Sequence, residues 1–197
     1  MTYSATGDEI QRAIEIATEI HKNQYRKGGC KPPYIVHPIA VLNRMLRWGI
    51  TDSKLLAAAP LHDTIEDGKS PDDIVALIKD QCGQDVLEYT FEMSCPPELD
   101  KKLYMESFKT KSVGALLTKV SDRLCNVDDF FHSPSKDYAG KYFRKADVVF
   151  KAFIDRKAEI VEAFGKKVWA SAFYDFKQTA TYLDSDIKFY RTHVQFE

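Results

Sequence analysis

The sequence contains no apolar run of the length, about 20 residues, that a membrane-spanning helix needs, so a membrane partner is not expected. Residues 1–8 are polar and lack the apolar core of a secretory leader. Cysteine is scarce, at four of 197 residues. Cys30, Cys82, Cys95 and Cys125 form no C-x-x-C pair and fit no zinc-finger spacing. Free thiols in a cytoplasmic protein are therefore expected rather than disulfides. An excess of one charge is also missing. The formal net charge is −1, which leaves no global basic field to hold a nucleic-acid polymer. A nucleotide-sized anion needs only a local basic cluster, and is not excluded. Sustained two-residue alternation, internal repeats, low-complexity tracts and an interdomain linker are all lacking.

What is present is helical periodicity. The apolar fraction of 44% and charged fraction of 29% are those of a soluble globular protein. The length suffices to bury a core without disulfides or structural zinc. Between residues 8 and 24, Ile10, Ala13, Ile14, Ala17 and Ile20 recur at three- and four-residue steps, on one helical face. The turn-rich stretch 27–33 breaks that helix. Further helices are expected over 37–48 (Pro38 in the first turn), 55–65 (capped by Thr51 or Asp52), 74–81, 85–93, 98–108, 113–131, 137–164 and 167–190. Loops are expected at 67–70, at Cys95-Pro96-Pro97 and at 132–136. The expected fold class is all-α, a single domain over 1–197.

The strongest local signal is Leu61-His62-Asp63-Thr64-Ile65-Glu66-Asp67, at the end of an apolar helix containing Leu55, Ala57, Ala58 and Ala59. On a continuous helix His62 and Glu66 are four apart, as are Asp63 and Asp67. Ionisable groups on an apolar helix are costly unless paired or metal-bound. A salt-bridged, solvated helix end would also explain them. His37, in Pro33-Tyr34-Ile35-Val36-His37-Pro38, could be a helix cap. Asp122, in Lys119-Val120-Ser121-Asp122-Arg123-Leu124-Cys125-Asn126, could be a surface ion pair with Lys119 or Arg123. Taken singly, none of these readings is excluded. Nothing in the sequence alone shows that these residues meet.

The joint pattern is more specific. His…His-Asp…Asp, preceded by Pro-Tyr-x-x-His-Pro and followed by Lys-x-x-Asp-Arg-Leu-x-Asn, resembles the hydrolase domain of the RelA/SpoT family. It is most similar to the single-domain small alarmone hydrolases, including the metazoan SpoT-like group. The resemblance runs from about His21 to about Ala146, with His21, Gln24, Arg26, Lys27 and Tyr142 as further matches. It implies an HD-domain helical bundle, here with an additional C-terminal helical segment over 168–197. It implies one Mn²⁺ per chain held by His37, His62, Asp63 and Asp122, with Glu66 and Asp67 activating the attacking water. Arg26, Lys27, Asn126 and Tyr142 are implied to bind the nucleotide. The implied reaction is hydrolysis of the 3′-pyrophosphate of (p)ppGpp to GDP or GTP and pyrophosphate. At this length no synthetic activity beside it is expected.

The chain departs from the family pattern in places. Asn23 stands where glycine is usual, the 27–33 loop is longer than in many members, Pro60 precedes the His-Asp pair, and Ser121 replaces the commoner alanine. Some relatives are more basic near the positions of Pro97 and Tyr138. These differences touch substrate preference more than the ligand or catalytic set. Two other readings compete: a phosphohydrolase of another nucleotide (an adenosine alarmone, NADPH at its 2′-phosphate, or a nucleoside monophosphate), and a non-catalytic nucleotide sensor. Retention of all six metal-site and catalytic residues speaks against the sensor. The aromatic tail with Trp169, Phe173, Tyr174, Phe176, Tyr182, Phe189 and Tyr190 is expected to pack on the domain.

Overall fold

The structure is a computed structural model that describes residues 6–27, 31–131 and 136–182. Among these residues it holds eleven helices and no strand, in agreement with the all-α expectation. They are α1 (Thr6–Ile20), α2 (Val36–Trp48), α3 (Ser53–Leu61), α4 (Thr64–Asp67), α5 (Pro71–Cys82), α6 (Gln84–Met93), α7 (Lys101–Ser107), α8 (Val113–Phe131), α9 (Lys136–Lys145), α10 (Asp147–Asp155) and α11 (Lys157–Tyr182). Cys30, the loop residues 132–135, and Phe189 and Tyr190 of the tail lie outside the described residues.

Local chemistry sets the boundaries. The Asp52 carboxylate accepts from the backbone N–H groups of Lys54 and Leu55 at 3.0 and 3.1 Å and starts α3. Asp100 does the same for α7 through Lys102 and Leu103, at 2.8 and 3.2 Å, so that helix begins three residues after the expected position. Each cap satisfies donors that have no partner inside the helix. Helix α2 ends where Gly49 turns left-handed at φ 91°, a conformation glycine adopts without steric cost.

Three further expected helices differ from the observed ones. The first stops at Ile20 rather than at residue 24, because Asn23 takes φ 69°. Asparagine tolerates that region better than other side chains, which explains why it can stand where relatives use glycine. The expected 55–65 helix is two helices broken at His62-Asp63. Asp63 has φ −122° and ψ 2°, and Thr64 Oγ1 donates to Leu61 O at 2.8 Å. The expected 137–164 helix is divided among α9, α10 and the first part of α11. Gly165, at φ 88°, kinks α11.

Helix α8 is the central strut, packing on α2, α6, α9, α10 and α11, while α3 sits between α1, α2 and α6. One apolar cluster joins these helices, with Trp48, Phe108, Phe143, Phe150, Phe153 and Phe176 among its fully buried side chains. Burying such a side chain contributes about 1.5–3 kcal/mol. Among the described side chains the tail packs as expected: Phe176 stacks on Phe143 at a centroid separation of 5.9 Å and lies tilted against Phe150 at 5.1 Å. Tyr174 is the exception and stays exposed.

Candidate active site

The site forms where α2, the α3–α4 break and α8 converge. His37 stands in the first turn of α2, His62 and Asp63 occupy the break, and Asp122 lies midway along α8. Ring nitrogens of His37 and His62 and a carboxylate oxygen of Asp63 lie within 4.8 Å of one another. Asp122 Oδ1 is 3.2 Å from His37 Nε2 and 3.8 Å from His62 Nε2. His37, His62 and Asp122 are buried, and the Asp63 side chain is only 13% exposed. His62 and Asp63, at the break in the helix, are turned toward the same place.

The arrangement fits a divalent cation. His62 Nδ1 donates to Ala59 O at 2.9 Å, which turns Nε2 toward Asp122 and Asp63. Such outer contacts orient metal-binding histidines. Burial lowers the pKa of His37 despite the pull of Asp122, and the neutral imidazole it favours is the ligating form. Burial pushes the Asp122 carboxyl up, but Lys119, Arg123 and His37 outweigh it and hold the group well below its usual range. Asp63 likewise resists burial: His62 and His21 keep its carboxyl ionised. Two imidazoles and two carboxylates make a donor set suited to a divalent transition metal.

Sequence reasoning named His21 as a match without giving it a role, and gave none to Tyr34. Both orient Asp63. His21 Nε2 is 3.1 Å from Asp63 Oδ1, and the Tyr34 hydroxyl donates to Asp63 Oδ2 at 2.7 Å. Their place in the Pro-Tyr-x-x-His-Pro and His-x-x-Gln patterns was the available signal. Ser121 is also accounted for: its hydroxyl donates to Val41 O at 3.0 Å and ties α8 to α2.

The catalytic and nucleotide-binding candidates are distributed around this center. Glu66 and Asp67 are exposed on α4. Glu66 Oε1 accepts the Cys95 N–H at 2.7 Å. The Asp67 carboxyl is pushed up by partial burial and by the charge of Asp63, a direction that suits proton exchange. Arg26 is held by backbone bonds between 24–26 and 32–34. Its guanidinium donates to Asn126 Oδ1 at 2.7 Å and to Asp129, and lies 5.4 Å from the Tyr34 ring center. Asn126 in turn donates to Asp122, so a continuous chain runs from Arg26 to the metal-site carboxylate. Asp129 was not foreseen. Lys27 is exposed and joins none of these contacts among the described residues. Tyr142 is turned toward Arg123, whose guanidinium donates to its hydroxyl.

No protein-family model matches the chain. The guanosine-3′,5′-bis(diphosphate) 3′-pyrophosphohydrolase MESH1 of Xenopus tropicalis is 36% identical over 151 residues, covering 72% of this chain and 83% of that protein. Human MESH1 is 33% identical over 161 residues, covering 79% of this chain and 90% of that protein. The enzyme of the same catalytic name from Aquifex aeolicus is 36% identical over 137 residues, 64% of this chain but 18% of that longer protein. A solved metazoan ortholog of SpoT superposes with a TM-score of 0.71, over 90% of this chain and 98% of that one, at 24% identity. That last likeness speaks for the fold. With two relatives above 30% identity matched along most of their length, the chain belongs to the RelA/SpoT family of HD-domain hydrolases, alongside the MESH1 proteins.

Proposed function

We propose that the chain hydrolyses the 3′-pyrophosphate of guanosine 3′,5′-bis(diphosphate), using one Mn²⁺ held by His37, His62, Asp63 and Asp122. The observation that carries the reading is the convergence of two buried imidazoles with two buried carboxylates next to a Glu-Asp pair. The named activity of the MESH1 relatives supports the choice of substrate. When bound, the cation supplies Lewis-acid neutralisation of phosphoryl charge and makes water more acidic.

The chain's own residues do the rest. Glu66, with Asp67 beside it, takes a proton from the attacking water. A bond forms from that water oxygen to the phosphorus nearest the ribose. The bond from phosphorus to the ribose 3′ oxygen breaks, that oxygen gains a proton, and pyrophosphate departs. Arg26 presents its guanidinium plane to the base, steadied by Asn126 and Asp129. Lys27 offers a point charge to phosphate. Tyr142 borders the pocket through Arg123.

The test is a product-resolved assay of the Mn²⁺-loaded chain with guanosine alarmones, adenosine alarmones and NADPH. GDP and pyrophosphate formed fastest from guanosine tetraphosphate are the expected result. Orthophosphate as the main product, or preferred turnover of NADPH, would overturn the substrate assignment.

A further inference from the structure

The two oxygens of Asp63 serve different neighbours. Oδ2 lies 3.5 Å from His62 Nε2, within the group that also holds His37. Oδ1 lies 3.1 Å from His21 Nε2. A second trio results: a ring nitrogen of His21 and carboxylate oxygens of Asp63 and Asp67 lie within 4.8 Å of one another. Asp63 is common to both groups. The trio comes from separate places in the chain, since His21 follows α1, Asp63 sits at the α3–α4 break and Asp67 ends α4. Among the described residues no lysine or arginine forms an ion pair with Asp63 or Asp67. Two carboxylates this close repel each other, and a cation between them relieves that repulsion.

His21 is held as a metal-binding histidine is held. Its side chain is fully buried. The Gln24 amide nitrogen donates to Asp67 O at 3.1 Å. The Gln24 oxygen is therefore the atom that accepts from His21 Nδ1, at 2.8 Å. With Nδ1 engaged in this way, Nε2 is presented to Asp63. Tyr34 fixes the same carboxylate by donating to Oδ2 at 2.7 Å. The spacing also fits. Neighbouring ligands whose bonds of about 2.1 Å meet at right angles on one cation stand about 3 Å apart. His21 and Asp63 are 3.1 Å apart, close to the 3.2 Å between His37 and Asp122 in the first group.

We propose that His21, Asp63 and Asp67 form a second divalent-cation site, bridged to the first by Asp63. This inference rests on the metal centre proposed above, because Asp63 belongs to both. One imidazole, two carboxylates and water suit a hard cation such as Mn²⁺ or Mg²⁺. The second site has one imidazole fewer than the first, and Asp67 is exposed, so it binds more weakly. Paired cations clamp the entering and departing oxygens of a phosphoryl displacement. Asp67 acts by holding the second cation, and Glu66 remains the base.

Calorimetric titration of further Mn²⁺ into the full chain already carrying one equivalent tests the site without turnover. Electron paramagnetic resonance of the same samples reports whether the two ions are neighbours. The wild-type chain should take up a second equivalent, and the resonance of the first should broaden by spin coupling through Asp63. Asp67→Ala, at an exposed position, should keep the first equivalent and lose at least about tenfold in affinity for the second, the lower scale for disturbing a metal's surroundings. Gln24→Ala, which frees the His21 ring, should weaken the second equivalent by about tenfold and leave the first unchanged. Wild-type uptake that stops at one equivalent would overturn the second site. So would a second equivalent that both variants bind as wild type does, because that ion would sit elsewhere. His62→Ala is scored separately on the first equivalent. Undiminished binding of that equivalent would sink the ligand set of the first centre. Failure to release pyrophosphate from guanosine tetraphosphate, with both equivalents bound, would sink the reaction assignment and leave the cation pair standing.

Discussion

Glu66 is the residue on which the proposed chemistry turns, and its contacts make it testable. It is exposed, belongs to none of the close metal-ligating groups, and accepts one backbone N–H, from Cys95. Glu66→Gln keeps an oxygen for that hydrogen bond and removes the basic carboxylate. The variant should bind the same amount of metal, melt at the same temperature and lose at least about a hundredfold in kcat. Near-normal turnover would take Glu66 out of the mechanism. Arg26 and Lys27 should separate in kinetics. Arg26→Ala removes contacts made equally with ground and transition states and should mainly raise KM. Lys27→Ala should also lower kcat if its charge follows the phosphoryl group. Wild-type behaviour of both variants would mean that the nucleotide sits elsewhere.

Cys125 offers a check on burial at the same scale. Its thiol is pushed up to about 11 by burial, against the opposing pull of Arg44. A group with a raised folded pKa contributes stability that is full below its unfolded value, about 8.5. That contribution is lost as pH rises through the folded value. Urea unfolding between these limits should show a falling stability, with a shallower fall in Cys125→Ala. Parallel slopes for the two chains would show that the Cys125 thiol has the same pKa in the folded and unfolded chain.

At the scale of elements, the short α4 decides where Glu66 and Asp67 stand. Gly68 closes it, donating to Thr64 O at 3.0 Å. A Cβ at Gly68 would lie 2.1 Å from Ile74 Cδ1 and 2.7 Å from Thr64 O. The backbone oxygen cannot yield as a side chain can, so Gly68→Ala should shift α4 against α5. Such overpacking costs about 1–3 kcal/mol. Chemical denaturation should show that loss, and kcat should fall with metal binding retained. A variant as stable and active as wild type would show that α4 has room to move. The His62-Asp63 break itself was not legible in the sequence: 55–65 reads as continuous helix, because no glycine marks the break and Pro60 lies inside α3. Helix α8 was legible end to end, since its apolar spacing is regular and polar segments flank it. The left-handed turn at Asn23 is a matter of backbone conformation, and the Asp129 contact with Arg26 joins residues 103 apart; periodicity reports neither. The residues of the candidate metal site stood out only as a joint motif, because each alone reads as an ordinary cap or ion pair.

At the scale of the molecule, α2, α8 and α11 are tied together by one buried guanidinium. Arg44, on α2, reaches Asp128 on α8 and donates to Asp175 on α11 at 3.2 Å, and its Nε lies 3.3 Å from Cys125 Sγ. Asp175 also accepts from Arg47 and from the buried Trp48 indole at 3.1 and 3.0 Å. The same α8 carries Asp122 and Asn126, so this junction supports the site from behind. Losing Asp175 leaves Arg44 paired with Asp128, and losing Asp128 leaves it paired with Asp175. Each single alanine variant should therefore cost about 1–3 kcal/mol, the price of unsatisfied donors. Removing both strands a buried cation, which is far more costly than losing one of two partners. The double variant should exceed the sum of the singles by a coupling of about 1 kcal/mol or more. Urea melts followed by the emission of Trp48 and Trp169 measure all four corners of the cycle. Strict additivity would show that the two carboxylates act independently, and that α11 is held to α2 and α8 by its apolar face, with Phe176 at its center, rather than through Arg44.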